Sequence, residues 1–354
     1  KREGYILYFL LLVTTQAMAQ KDSTRQLLEV QVKGTNLAHI QSITPSQSTT
    51  SNDFKKFSAY NVADAIRNFS GVNIKDYGGI GGIKTVSVRS LGANHTGVLY
   101  DGIPISDTQN GQIDLGKISL ENVQNITLHN GQPGEICLPA RSFASASILS
   151  INSLAPRLDS IKPYALKISM YTGSFGLLNP SLQWQQRLGK DWSFRLTNQY
   201  QKAHGRYKFK VDGDGSDTTA TRNNANINTL QSDAAIYWIR PEMSKFQFRV
   251  NYYHSDRGLP GAVVFYNPYS NQHLWNRDLF IQSSYDQKWA KWRMLLNAKY
   301  THNNTRYLDP DFLNTIGKLD QRYNQKEFYA AGTITFKPVK NIEVAYASDL
   351  SVSN

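Results

Sequence analysis

The pattern of apolar and polar positions divides the chain into two regions that meet near Pro156. Before this point, apolar residues form short segments of mixed period, such as the helical spacing of Val62, Ile66 and Phe69. After it, apolar and polar residues alternate through segments of about 9–12 residues, the spacing of half-buried strands. The pattern therefore predicts a small α+β unit over residues 54–156 and an all-β region over residues 157–354.

The all-β region contains nine predicted strands. They run Tyr164–Tyr171, Leu182–Leu188, Trp192–Gln201, Ser232–Ile239, Phe246–His254, Leu279–Trp289, Trp292–His302, Lys326–Phe336 and Ile342–Leu350. In the third strand, Trp192, Phe194 and Leu196 share one face, while Arg195 and Thr197 share the other. An apolar outer face and a polar inner face are typical of a transmembrane β-barrel.

Short and long connections alternate strictly between the predicted strands. The short ones lie at 189–191, 240–244, 290–291 and 337–341, and the long polar ones at 203–231, 255–278 and 303–325. Outer-membrane barrels have short periplasmic turns and long extracellular loops. The pattern therefore predicts an antiparallel transmembrane barrel whose long connections face the outside.

The first 53 residues predict export followed by a flexible segment. Lys1 and Arg2, a short apolar core and the small residues Ala17 and Ala19 indicate a cleavable signal peptide over residues 1–19. Residues 20–53 are polar, and we expect them to be mostly flexible. One alternating run interrupts them and is suited to adding a strand to a partner's sheet edge. It comprises Leu28, Glu29, Val30, Gln31 and Val32.

Charge and cysteine usage exclude several classes of protein. The net charge of +12 comes from scattered Lys and Arg, so we expect no nucleic-acid partner and instead a basic surface for lipid phosphates or an anionic ligand. Cys137 is the only cysteine, which excludes an intrachain disulfide, and we predict that it is a small core residue. Because the histidines match no zinc-protease or nucleophile-elbow motif, no enzyme is predicted.

The order of motifs between Asn61 and Pro133 resembles the plug domain of TonB-dependent outer-membrane receptors. It includes a helix ended by Gly71, a Val-Arg-Ser-Leu-Gly run ending at Gly92, and a turn at Asp101. The resemblance implies an α+β plug over residues 54–156 inside a barrel of about 22 strands. About nine of these strands fit the sequence, so we expect the chain to be the N-terminal part of such a receptor.

The resemblance also implies a function. Residues 28–32 are similar in sequence and position to the Ton box, which binds TonB and thereby the inner-membrane energising complex. The protein is then an outer-membrane active transporter that binds a scarce, large ligand outside and contacts outer-membrane lipid and lipopolysaccharide. Two other classes stay open: a passive channel or adhesin, which would need no Ton box, and a hydrolase, for which the sequence offers no Ser/His pair.

Two groups of plug residues are candidates for function. We expect Arg89, Gly92, Asp101 and Gly102 to shape turns and to contact the barrel wall as gating or structural residues. Ser90 stands where the family usually has glycine, which puts a tight turn there in doubt. The candidates for ligand contact at the plug apices are Tyr77, Gln109, Asn110 and Gln112.

A run of acidic residues in a long connection suggests a metal ion. Asp212, Asp214 and Asp217 alternate with glycines, which suits Ca²⁺, although the EF-hand glutamate is missing. A solvated acidic loop is the alternative, and no other cofactor is expected. Cobalamin receptors of the superfamily use loop aspartates with calcium. The sequence therefore favours cobalamin as ligand, with a ferric siderophore as the alternative.

Overall fold

The computed structural model describes residues 44–354 except 78, 107–110, 214–215, 241–242, 262–269 and 340, with backbone only at 211–213 and 216–218. The predicted signal peptide and the Ton-box-like run at 28–32 therefore lie outside the described residues. Within the described part of the chain, no helix is long and apolar enough to cross a membrane.

The first region, here called the plug, is an α+β domain built on a mixed five-stranded sheet. Its strand order is β1-β6-β7-β4-β5, and β4 and β7 are parallel whereas the other neighbours are antiparallel. A separate hairpin joins β2 and β3. The elements are β1 Ser46–Thr50, α1 Ser51–Lys56, α2 Val62–Ile66, β2 Val72–Asp76, β3 Lys84–Val88, β4 Thr96–Tyr100, β5 Ile103–Ile105, β6 Val123–His129 and β7 Ser147–Ser153.

The plug has its own apolar core, which fixes both short helices. Asn61 caps α2 by accepting a hydrogen bond from the Asp64 amide at 2.9 Å. Val62 and Ile66, one turn apart, are fully buried against the sheet residues Ile126 and Leu149. Because five-residue helices are unstable alone, this packing is what holds α2 in place.

The second region, here called the wall, is a nine-stranded antiparallel sheet in which sequence neighbours pair. The hairpin of β11 and β12 lies within the connection from β10 to β13. The strands are β8 Tyr164–Gly173, β9 Leu177–Arg187, β10 Trp192–Ala203, β13 Ile227–Arg240, β14 Ser244–Leu259, β15 Gln272–Lys288, β16 Trp292–Asp309, β17 Leu319–Val339 and β18 Ile342–Ser353, and the hairpin is β11 Tyr207–Gly213 and β12 Ser216–Arg222.

The wall curves around the plug, because each of the nine wall strands makes a hydrogen bond or ion pair with the plug. The contacts begin with Lys167 on β8, which meets Glu121 at 2.7 Å, and end with Asp349 on β18, which accepts from the Ala140 amide at 3.0 Å. Inward residues such as Arg195 are buried, whereas outward residues such as Trp192 are exposed. The predicted fold class, an α+β plug followed by nine antiparallel strands with an apolar outer face, is confirmed.

The structure places element boundaries differently from the sequence expectations. Residues 46–53, the end of the segment expected to be mostly flexible, form β1 and the start of α1, because β1 adds to β6 along the plug edge. The wall strands also extend beyond the predicted 9–12 residues, to 21 residues in β17. These extensions turn much of the predicted long connections into strand, since cross-strand pairing continues where the apolar alternation has stopped.

The turn after β3 forms without the glycine that the family usually has. Arg89 and Ser90 have φ of 51° and 60°, and the Leu91 amide donates to the Val88 carbonyl at 3.1 Å. Both central residues are therefore left-handed, as in a type I′ turn. The doubt about a tight turn was misplaced, because serine adopts the required conformation at a cost in strain.

We expect Ser90→Gly to stabilise the receptor by about 0.5–1 kcal/mol, because glycine removes the left-handed strain but loses more chain entropy on folding. Ser90→Ala is the matched control and should leave stability unchanged, since its Cβ is as hindered as that of serine. Urea unfolding of the detergent-solubilised receptor measures both. Equal midpoints for the glycine and alanine variants would contradict the assignment of strain.

Candidate functional site

A cavity of about 710 Å³ lies between the apex of the plug and the outer ends of the wall. Tyr77 and Gln112 come from the plug. Tyr207 and Arg222 come from the hairpin of β11 and β12, and Gln272 begins β15, on the side of the wall with the long loops. The structure therefore brings two of the four predicted ligand residues into one cavity. The other two, Gln109 and Asn110, lie outside the described residues.

Hydrogen bonds within the plug apex hold the backbone on either side of its turn. The Tyr77 amide donates to the Ile83 carbonyl at 3.0 Å, and Asp76 accepts from the Gly79 amide at 2.8 Å. Gly79 has φ of 73°, which favours glycine. Ile80 packs on a small apolar cluster of the wall that contains Ile227. Tyr77 is 53% exposed and lines the outer cavity.

Arg222 brings a buried guanidinium group to the lining of this cavity. The residue is 7% exposed, and its Nη2 donates to the Gly261 carbonyl. Its Nη1 is buried and has no hydrogen-bond partner in the described part of the chain. Leaving a buried charged donor unpaired is costly.

Below the cavity, charged residues of the wall hold the plug in place. Asp233 is 1% exposed and lies between Arg195 at 3.0 Å and Arg249 at 2.5 Å. The guanidinium of Arg249 stacks 3.8 Å from the ring centre of Tyr100 in the plug, and Arg195 donates to the Leu154 carbonyl. Because burial raises the pKa of the Tyr100 phenol, this ring stays neutral.

A second buried ion pair of the wall contacts the plug near β5. Lys299 on β16 bonds Glu327 on β17 at 2.9 Å, and both side chains are at most 3% exposed. The same ammonium group donates to the Pro104 carbonyl at 3.0 Å and to Ser106 Oγ at 2.9 Å. Further out, Lys117 of the plug bonds Asp278 of the wall at 2.8 Å. Polar contacts thus hold this side of the plug, and small apolar clusters such as Ile103 with Tyr329 add to them.

The four predicted gating residues occupy two different environments. Asp101 and Gly102 have φ of 51° and 78° and form the two-residue turn between β4 and β5. Asp101 accepts from the Gln247 side chain of the wall at 2.6 Å and from the Ser153 amide at 2.7 Å. Gly92, with φ of 95°, instead donates its amide to Ser87 Oγ within the plug.

Arg89 is exposed and makes no ion pair among the described residues. Charged residues on both sides join plug and wall, and sequence reasoning missed the buried ones on the wall. They are Arg195, Asp233, Arg249, Arg257, Lys299 and Glu327. Their one sequence signal is a charge on the polar face of an alternating strand.

The described residues do not test the predicted calcium site. Asp212 and Asp217 are paired opposite each other in the hairpin of β11 and β12, while Asp214 lies outside the described residues. Within the described part of the chain, no three His, Cys, Asp or Glu side chains are grouped as metal ligands. Calcium binding at this loop stays a prediction.

Cys137 is a buried residue of the plug, 2% exposed. Burial raises the pKa of its thiol to about 11, so almost none is thiolate at pH 8. We expect iodoacetamide to alkylate the folded receptor at least roughly a hundredfold more slowly than it alkylates free cysteine. Mass spectrometry before and after urea denaturation checks this. Equal rates in the two states would contradict the burial of Cys137.

Taken together, the described residues define a class: a β-barrel wall whose lumen is filled by a separate α+β plug. The family model described as TonB-dependent Receptor Plug Domain matches residues 39–135. Residues 39–135 therefore form a TonB-dependent receptor plug domain, and the nine strands after it have the fold of the barrel wall in these receptors. Receptors of this family are transporters rather than enzymes, in agreement with the sequence.

Solved receptors share this fold at low sequence identity. A ferric enterobactin receptor mutant from Pseudomonas aeruginosa is 14% identical, with a TM-score of 0.60 over 87% of this chain and 49% of its own. The ferric yersiniabactin uptake receptor from Yersinia pestis is 10% identical, with a TM-score of 0.66 over 88% and 48%. A siderophore receptor from Acinetobacter baumannii is 13% identical, with a TM-score of 0.60 over 88% and 46%. The chain thus spans about half the length of these structures.

Proposed function

We propose that the protein is a TonB-dependent outer-membrane transporter that imports a ferric siderophore. The observation that carries the proposal is the outer cavity. There the guanidinium of Arg222, whose Nη1 has no partner among the described residues, lies with the polar groups of Tyr77 and Gln112. Ferric siderophores present the oxygen atoms of their iron-binding groups, and many are anionic. The ligands in the names of the similar receptors, enterobactin and yersiniabactin, belong to this chemical class.

This proposal takes up the alternative rather than the favoured interpretation of the sequence. The sequence favours cobalamin because of the acidic loop at Asp212, Asp214 and Asp217, whose side chains lie outside the described part of the structure. The similar solved receptors support the siderophore alternative. Calcium at the loop is kept as a separate proposal, tested by adding a chelator to the binding assay.

The plug–wall interface suits a plug that moves. Three cavities follow one another along β14 and β15: the outer one, a middle one of about 150 Å³ beside Asn251 and Asp278, and an inner one of about 500 Å³ beside Lys245 and Ser284. The Tyr100–Arg249 stack and the Asp101–Gln247 hydrogen bond separate the last two. We infer that a pull by TonB on residues 28–32 breaks these polar contacts and joins the cavities into one path.

Tryptophan fluorescence titration of the detergent-solubilised receptor tests the ligand. Ferric enterobactin, ferric pyoverdine and cobalamin are compared, with and without calcium. We expect saturable binding of a ferric siderophore, weakened about tenfold by Arg222→Gln, a loss of about 1.4 kcal/mol.

Arg240→Gln is the matched control, because Arg240 lies at the opposite end of the wall beside Asp191, where its loss should not affect binding. Cobalamin binding that needs calcium, together with no siderophore binding, would overturn the proposal in favour of cobalamin.

A further inference from the structure

The middle cavity, of about 150 Å³, lies between the plug and the wall. Its plug side is largely apolar, since Ile105, Ile113 and Ile118 line it and pack on the plug core behind them. The uncharged polar residues of its wall side are Gln231, Asn251, Thr301 and Asn303. None of the described residues that line it also lines the outer or the inner cavity, so it is a separate space.

One carboxylate at this cavity has an oxygen without a partner. Asp278 on β15 lines the cavity, and its Oδ2 accepts a hydrogen bond from Lys117 Nζ at 2.8 Å. Its Oδ1 is buried and has no hydrogen-bond partner among the described residues. Because a buried charged oxygen without a donor is costly, a donor from a bound molecule or from water would stabilise it. The cavity therefore combines an apolar surface with one strong acceptor.

Size and chemistry together define the class of ligand. A cavity of about 150 Å³ is large enough to hold a benzene ring. Tyr100 of the plug and Phe280 of the wall also line it, and aromatic rings pack well on such side chains. A hydroxyl group is a suitable donor to the carboxylate, because hydrogen bonds to ionised groups are stronger than neutral ones. A cationic ligand is disfavoured, since Lys117 and Arg249 already bring positive charge to the lining.

We propose that the middle cavity is a binding site for small phenols, that is, for one neutral aromatic ring that carries a hydroxyl group. The hydroxyl donates to Asp278 Oδ1, and the ring packs between Ile113 of the plug and Phe280 of the wall. Because the bound molecule contacts both parts, it binds only while plug and wall are together and therefore favours that arrangement. This second effect rests on the plug movement in the proposed function, whereas binding itself does not.

Fluorine NMR of the detergent-solubilised receptor tests the site, with 4-fluorophenol as the probe. Fluorobenzene has the same ring without the donor, and detergent without receptor gives the background for both probes. We expect saturable binding of 4-fluorophenol. Fluorobenzene should bind about tenfold more weakly, because it makes no hydrogen bond to the carboxylate of Asp278.

Two variants that fill the cavity show where the probe binds. Ile113→Phe fills it from the plug side, and Thr301→Leu fills it from the wall side in case the first variant does not fold. Each should weaken 4-fluorophenol binding about tenfold or more, since the ring no longer has room. Leu138→Phe is the matched control, because it adds similar bulk in the inner cavity of about 500 Å³. The control should leave the affinity for 4-fluorophenol unchanged.

Three results would overturn the proposal. Without saturable binding, the cavity holds only water. Equal 4-fluorophenol affinity in the unmodified receptor and a folded filling variant would place the probe elsewhere, and equally tight binding of fluorobenzene would contradict the role of Asp278. Ferric siderophore affinity is measured on the same samples. Failure of siderophore binding alone would count against the transported ligand and leave the phenol site supported.

Discussion

Asp233→Ala is expected to destabilise the receptor by about 3–5 kcal/mol, because it leaves Arg195 and Arg249 buried side by side without a counter-ion. Both guanidinium groups are almost fully buried, and both bond Asp233. Arg249 also stacks on Tyr100, so the loss should loosen the plug as well as the wall. Urea unfolding followed by tryptophan fluorescence measures the change.

Asp191→Ala is the control for this experiment. Asp191 pairs with Arg240, whose side chain is 57% exposed, and a solvated pair contributes about 0–1 kcal/mol. A second variant, Asp233→Ala combined with Arg249→Met, should recover part of the loss because it removes one of the unpaired charges. Equal stability of the two single alanine variants would contradict a stabilising role for the buried Asp233 ion pairs between plug and wall.

A disulfide between plug and wall is expected to abolish transport without changing ligand binding. Asn122 of the plug and Thr197 of β10 are the positions chosen for this, because a hydrogen bond of 2.6 Å joins their side chains and both residues are buried. When Asn122→Cys and Thr197→Cys are oxidised together, the plug can no longer move away from the wall. Uptake of radiolabelled ferric siderophore by cells, with and without a reductant, measures the effect.

The matched control joins two wall strands instead. Asn198 and Ser232 are register partners on β10 and β13, face outward, and bond each other at 2.8 Å. Their cysteine pair crosslinks the same strand, β10, but leaves the plug free, so transport should continue after oxidation. If the oxidised Asn122→Cys/Thr197→Cys receptor transports as fast as its reduced form, the plug need not leave this part of the wall.

Much of the fold could be predicted from the sequence, because alternation specifies strands whose two faces meet different surroundings. All nine wall strands were found, and Trp192 and Arg195 have the predicted opposite orientations. The outer strand ends were missed because both faces are polar there, as in the Asn303–Thr305 part of β16. β1 was missed because its Ser and Thr residues resemble a linker until β6 provides an edge for pairing.

The candidate site was less predictable, because it depends on contacts between residues far apart in the chain. Turn chemistry correctly indicated Asp101 and Gly102, since a two-residue hairpin needs positive φ at both positions. Nothing local to Asp233 or Arg222 shows that one lies between two arginines and the other lines the outer cavity. Such pairings follow from the curvature of the wall around the plug.

Energised uptake tests the central claim most directly. Cells producing either the intact receptor or a variant lacking residues 28–32 are supplied with radiolabelled ferric siderophore, and surface binding and accumulation are measured separately. We predict equal binding by both receptors, with accumulation only in cells that have the intact one. Equal accumulation in both would contradict TonB-driven import and would instead support a passive channel.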